Sequence, residues 1–165
     1  MNPLLHNLLL SVAIGAGATL VMDAWLQLLR RLGIASLSFA LVGRWVGHLA
    51  RGRVRHAAIA KATPVRGELA LGWLVHYATG IAFAALLLAL AGPAWAARPS
   101  LLPALALGVA TVAVPLLLIQ PAMGAGVASR NTPTPLRNSL KSLATHSVFG
   151  LGLYLSAVLI AALQP

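Results

Sequence analysis

Four stretches of about twenty apolar residues, the length a helix needs to cross a ~30 Å hydrocarbon layer, constrain this chain more than any other feature. They run from Leu8 to Leu29, Leu69 to Ala91, Leu101 to Gln120 and Leu143 to Leu163. None contains Lys or Arg, and Asp23 is the one carboxylate inside them. A segment in hydrocarbon has to satisfy its backbone N–H and C=O groups internally, so each stretch is expected to be a helix. Only 8% of the 165 residues are charged, against roughly a quarter in a soluble domain. The chain therefore reads as an all-α integral membrane protein, a single four-helix bundle over residues 1–165. Cysteine is absent, which removes disulfide staples, thiolate zinc sites and thiol nucleophiles. Ala16-Gly17-Ala18 has the small residues of a signal-peptide cleavage site, but no Lys or Arg precedes the apolar run. The first stretch is accordingly read as a retained span.

The cations give the direction. Of twelve Lys and Arg, eight lie between Arg30 and Glu68: Arg30, Arg31, Arg44, Arg51, Arg53, Arg55, Lys61 and Arg66. The link from Gly92 to Ser100 carries only Arg98, and the segment after Pro121 carries Arg130, Arg137 and Lys141. Because cytoplasmic connections hold the excess of basic residues, the first and third connections are expected inside and both termini outside. Basic residues beside Trp45 have the makings of a nucleic-acid surface, with charge for phosphates and a ring for stacking. Topology already accounts for that charge, so nucleic acid is not an expected partner. The expected partners are the lipid bilayer, anionic lipid at the basic cytoplasmic loops, and a second copy or a subunit of a membrane complex.

Between the first two spans, Ile34, Leu37, Leu41, Trp45 and Leu49 recur at three- and four-residue steps, with Ser36, Gly43, Arg44, Gly47 and Arg51 opposite. That pattern predicts an interfacial amphipathic helix over about 34–50. Thr63 and Pro64 supply an N-cap and a first helical residue for the second span. Pro115 should kink the third span, since it lacks an amide and its ring crowds the carbonyl of Thr111. Pro121 and Met123-Gly124-Ala125-Gly126 end that span, and Asn131-Thr132-Pro133-Thr134-Pro135 reads as successive turns.

At ~1.5 Å per helical residue, the polar residues of the four spans fall near one depth. Asp23, His76, Gln120 and His146 each lie within ~10 Å of the expected cytoplasmic face. Intramembrane polar side chains are costly and normally face a bundle interior or water-filled cavity, so the four are expected to share a site, with Met123 and Thr19 beside it. Small residues follow the same faces: Ser11, Gly15, Thr19, Asp23 and Gln27 in the first span, Glu68, Gly72, His76 and Gly80 in the second, Ser142, His146 and Gly150 in the fourth. Such stripes also let helix backbones approach closely, which makes interhelical packing the competing reading. His76 and His146, each followed by a glycine four residues on, hint at a duplicated two-helix unit, but Asp23 and Gln120 do not align with that repeat.

The site admits several chemistries. His76, His146 and Asp23 are accepted ligands for a divalent metal, and the two histidines are equally acceptable as haem ligands. No short metal motif accompanies them. A carboxylate beside histidines also suits proton relay, which in a four-helix chain needs oligomerisation or a partner to complete a path. Catalysis is the least supported class, because no Gly-x-Ser-x-Gly elbow occurs. Packing alone, in a structural or accessory subunit, is the alternative. Glu68, beside Arg66 at the start of the second span, reads as an interfacial ion pair or dipole partner, and with Arg44 as an interface or gate. His6, His48 and His56 are expected to be solvated.

Over nearly its full length the chain resembles the bacterial membrane-protein family catalogued as domain of unknown function 2938. The matching stretches are Gly17-Ala18-Thr19-Leu20-Val21-Met22-Asp23, Gly43-Arg44-Trp45, Gly67-Glu68-Leu69-Ala70-Leu71-Gly72-Trp73 with His76-Tyr77, Gln120-Pro121-Ala122-Met123-Gly124, Thr132-Pro133, and His146-Ser147-Val148-Phe149-Gly150. The resemblance implies an integral protein of the bacterial inner membrane and carries over no catalytic or ligand role.

Overall fold

Asn2 opens the first helix. Its side-chain oxygen accepts the Leu4 N–H at 2.9 Å, and Pro3 occupies a first-turn position where no amide is needed. In this computed structural model, which describes residues 2–36 and 38–163, α1 runs Pro3–Arg31, beyond the apolar stretch at both ends and chiefly at its start. It stops where Gly33 turns left-handed (φ 75°). After it come α2 (Phe39–Leu49), a 3₁₀ turn (Ile59–Lys61), α3 (Glu68–Ala91), the short α4 (Pro93–Ala97) and α5 (Leu101–Ala110). A π-helical stretch (Val114–Ile119), α6 (Gln120–Met123), a second 3₁₀ turn (Val127–Ser129) and α7 (Pro135–Leu163) complete the chain. Helices Pro3–Arg31, Glu68–Ala91, Leu101–Met123 and Pro135–Leu163 are long and apolar enough to cross a membrane, which makes this a multi-pass membrane protein.

Several boundaries depart from expectation for local reasons. The second span starts at Glu68, not at Thr63-Pro64, because Gly67 has φ 76° and a right-handed helix cannot run through it. Glu68 caps its own helix instead, its Oε2 accepting the Val65 N–H at 2.9 Å. The expected kink at Pro115 appears as the π-helical widening, the usual response when a proline deletes one rung of the ladder. Gly124 closes α6 at φ 99°, where a side chain would also overlap the Ala57 carbonyl. The last helix begins at Pro135, ahead of the apolar stretch, so Arg137, Asn138, Ser139 and Lys141 are helical as well. Hydropathy marks only the apolar part of a helix.

The described residues fall into two compact units, and α3 and α7 contribute to both. One holds the chain up to Ile34, Tyr77–Thr111 and the residues from Thr145 on. Its core includes Ile14, Ala18, Leu87, Ala104, Phe149 and Leu153. Helices meet there backbone to backbone: an added Cβ on Gly15 would stand 2.5 Å from the Ile81 Cα, and one on Gly152 3.0 Å from the Ala18 Cα. Gly108 and Gly150 form a similar contact between α5 and α7. The small-residue faces therefore lie between helices, as membrane helix packing requires. Outward, Leu90, Leu102 and Leu159 are among many leucines more than half exposed, as suits lipid contact.

The other unit holds Ala35–His76 and Val112–Ala144. Here α2 is shorter than the predicted 34–50 helix, and Leu37 of the predicted stripe lies outside the described residues. The face it docks is also not the one expected. Gly43 packs on the first turn of α3 so closely that a Cβ would overlap the Glu68 carbonyl, and Gly72 returns the contact to Phe39. Gly47 approaches Val65, while Leu49 stays 39% exposed. A binary polar–apolar pattern counts glycine as non-core, yet absence of a side chain is what permits this contact.

Candidate functional site

Among the described residues of the first unit, hydrogen bonds join span to span at Asp23, Trp25 and Thr111. The Tyr77 hydroxyl of α3 donates to Asp23 Oδ2 of α1 at 2.9 Å. The Trp25 indole N–H of α1 donates to Thr145 Oγ1 of α7 at 3.2 Å. Thr111 Oγ1, at the end of α5, lies 2.9 Å from His146 Nδ1 of α7 and 2.6 Å from the Gly108 carbonyl. Asp23 and His146 are half-buried, whereas Thr111 and Thr145 are buried. Thr19, also buried, bonds back to the Gly15 carbonyl at 2.7 Å and packs on Gly80, a contact that serves helix packing.

The second unit holds His76, Gln120, Met123, Arg44 and Glu68. The His76 ring lies against Phe39 (centroids 4.4 Å) and edge-on to Trp73 (5.8 Å). Gln120 Oε1 accepts from the Ser129 hydroxyl at 2.9 Å, and its amide reaches Ser142 at 3.5 Å. Met123 is buried. Glu68 pairs with Arg44, not with Arg66: Nε to Oε2 is 2.9 Å and Nη2 to Oε1 is 2.7 Å, a bidentate fork. The remaining Arg44 amine donates to the carbonyls of Ala60 and Ala62 at 3.1 and 3.2 Å. One guanidinium thus ties α2, the 3₁₀ turn and the start of α3 together. That is an interface, and nothing in its geometry marks it as a gate.

Two histidines expected to be solvated are not. His48 is 3% exposed, and its Nε2 lies 2.9 Å from the Thr63 carbonyl, an acceptor, so Nε2 carries the proton. His56 lies edge-on to it at 5.0 Å, with both ring nitrogens buried and without a hydrogen-bond partner. Burial, His48 and Arg53 all push the His56 imidazole below its ordinary pKa.

Asp23, His146 and Thr19 thus belong to the first unit and His76, Gln120 and Met123 to the second. Among the described residues no group of three or more His, Cys, Asp or Glu is arranged to hold a metal ion. Sequence reasoning missed Tyr77, Trp25, Thr111 and Thr145. Each is a hydroxyl or indole in an apolar helix, and such groups need a partner when buried. That requirement was the available signal. It was overlooked because none of the four sits on the stripe selected by four-residue steps.

A family model described as Protein of unknown function (DUF2938) matches residues 12–160. No curated protein and no solved structure matches the chain.

Proposed function

The chain belongs to the DUF2938 family, and from that premise we propose that it is a small bacterial inner-membrane protein whose intramembrane carboxylate and imidazole take up and pass on protons. Both termini lie outside, and the basic first and third connections lie in the cytoplasm against anionic lipid, with the exposed Arg51, Arg53 and Arg55 as headgroup partners. A second copy or a membrane partner completes the path, since four spans enclose little volume of their own.

The observation that carries this reading is the bond from Tyr77 to Asp23. A hydroxyl serves both forms of a carboxyl group: it donates to the carboxylate and can turn to accept from the acid. A guanidinium donates only, and holds its partner ionised, as Arg44 holds Glu68. The Tyr77 bond can therefore be kept in either form of the Asp23 carboxyl group. Thr111 and His146 give the same unit a second group able to carry a proton.

A second reading rests on Trp25 and Thr145, which tie α1 to α7 with no titratable group. It takes the polar contacts as interhelical packing in an accessory subunit. One experiment separates the two. Purified protein is reconstituted in vesicles containing a pH-sensitive dye, and a potassium diffusion potential is applied. Proton uptake above that of protein-free vesicles is expected, falling to background in Asp23→Asn with an unchanged detergent melting temperature, and slowing in Tyr77→Phe. Uptake equal to that of empty vesicles, with a lower melting temperature in Asp23→Asn, would replace proton transfer by packing.

A further inference from the structure

The contact between Thr111 and His146 has a direction. Thr111 has one hydroxyl proton. The Gly108 carbonyl, 2.6 Å from Oγ1, can only accept, so the proton lies between these two oxygens; without it they would repel at that distance. Toward His146 the Thr111 oxygen is left as an acceptor. An imidazole nitrogen 2.9 Å from an acceptor must carry the proton, which places it on Nδ1. We propose that Thr111 is a positioning residue that holds neutral His146 as its Nδ1–H tautomer, so that this imidazole gains and returns its mobile proton at Nε2. The role in proton movement rests on the reading given under Proposed function; the tautomer does not.

The surroundings make the arrangement rigid. Thr111 is 5% exposed, which denies water a competing position on its oxygen. A Cβ on Gly108 would stand 2.6 Å from the Gly150 nitrogen and 2.8 Å from the His146 carbonyl oxygen, so α5 and α7 are in backbone contact at this level. Threonine is suited to the position. Its hydroxyl reaches the preceding turn of its own helix, and its branched Cβ limits χ1, which keeps Oγ1 aimed at one place.

The tautomer is read from nitrogen NMR of the full-length protein in lipid, labelled with ¹⁵N at histidine. At about pH 8.5, some two units above the ordinary histidine pKa, imidazoles are neutral. The His146 signals are those lost in His146→Gln. The expected wild-type pattern is a pyrrole-type Nδ1 and a pyridine-type Nε2. Thr111→Val should lose this pattern and Thr111→Ser should restore it, a rescue that a merely space-filling role of the methyl group would not produce. A pyridine-type Nδ1 in the wild type overturns the proposal, as does a Thr111→Val spectrum that still matches wild type. The wild-type measurement decides the matter even if Thr111→Val fails to fold. The expected tautomer without proton uptake in vesicles would retire the proposed function and leave this assignment standing; uptake with the opposite tautomer would do the reverse.

Discussion

Replacing Gly72 with alanine tests the packing argument where it is sharpest. The added methyl would overlap the Phe39 carbonyl oxygen, stand 2.6 Å from the Phe39 carbonyl carbon and 3.2 Å from the Gly43 nitrogen. Optimal separation between carbon atoms is about 3.5–4.0 Å, so α2 and α3 must part by about 1 Å, and the atoms in the way are backbone. Overpacking of this kind costs about 1–3 kcal/mol, with a clash against immobile atoms at the upper end. Alanine returns about 1 kcal/mol of helix propensity. A net loss of about 2 kcal/mol follows, or a melting point lower by ~4–8 °C on the scaling for a chain of this size. Gly17→Ala is the control: its methyl would meet the Ser156 hydroxyl at 2.5 Å, which can rotate away, and the Ser156 Cβ at 3.0 Å, with no backbone atom in the way. It should cost clearly less than Gly72→Ala. Gly43→Ala should cost about as much as Gly72→Ala, but the double variant should cost less than both together, because one displacement of α2 relieves both overlaps. Tryptophan fluorescence on heating in detergent reads the four variants against the wild type. Gly72→Ala melting with the wild type, or strict additivity in the double variant, would refute the close approach.

Two further outcomes follow from the Arg44 fork and the buried histidines. Because folding depresses the His56 pKa, the unfolded chain binds more protons near its ordinary titration point of about 6.5. The stabilisation is therefore complete above that pH and lost as pH falls through the lower, folded value; wild type should lose melting temperature between about pH 7.5 and 5 faster than His56→Gln, and parallel curves would contradict this. In the Arg44 fork, Arg44→Glu and Glu68→Arg should each lower the melting temperature. The charge-swapped double variant should recover part of the loss but not all, because the carbonyls of Ala60 and Ala62 are left without their donor. A swap no more stable than the worse single variant would show that the pair does not hold α2.

The spans and small-residue faces were legible in the sequence because both follow from composition at fixed helical spacing. Gly15, Gly80 and Gly150 lie where four-residue steps placed them, between helices. Helix ends were less legible. The first two turns of α7 are polar, so nothing in hydropathy announces them, and the start of α3 depends on the left-handed φ of Gly67. The partners of the polar residues were least legible. Depth is one coordinate and does not name the groups a side chain meets. Asp23 and His146 take Tyr77 and Thr111, while His76 and Gln120 take an aromatic pair and two serines. Tyr77 follows His76 directly, so about 100° of helix separates their faces.

The chain's two carboxylates show why partner identity carries the functional argument. Glu68 meets two nitrogens of one guanidinium and a backbone N–H, all donors, and its geometry has no use for a protonated form. It is a fastening. Asp23 accepts from a hydroxyl, a group that can also turn to accept, and this difference in partner is what the proposed function rests on. The histidines do not divide in that manner. His48 gives its Nε2 proton to the Thr63 carbonyl, a group that only accepts, and the Nδ1 of His146 likewise faces an acceptor, the Thr111 oxygen whose own proton is directed at the Gly108 carbonyl. Fixed charge and a fixed acceptor accompany the segment that joins α1 to α3, whereas a partner able to reverse its role accompanies Asp23 within the spans. A chain that needed these side chains only as interhelical ties could have used more contacts like Trp25 and Thr145, which avoid the cost of an ionisable group in hydrocarbon. The proposal of proton transfer rests on the titratable groups placed there, each beside a hydroxyl, and the packing reading rests on Trp25 and Thr145.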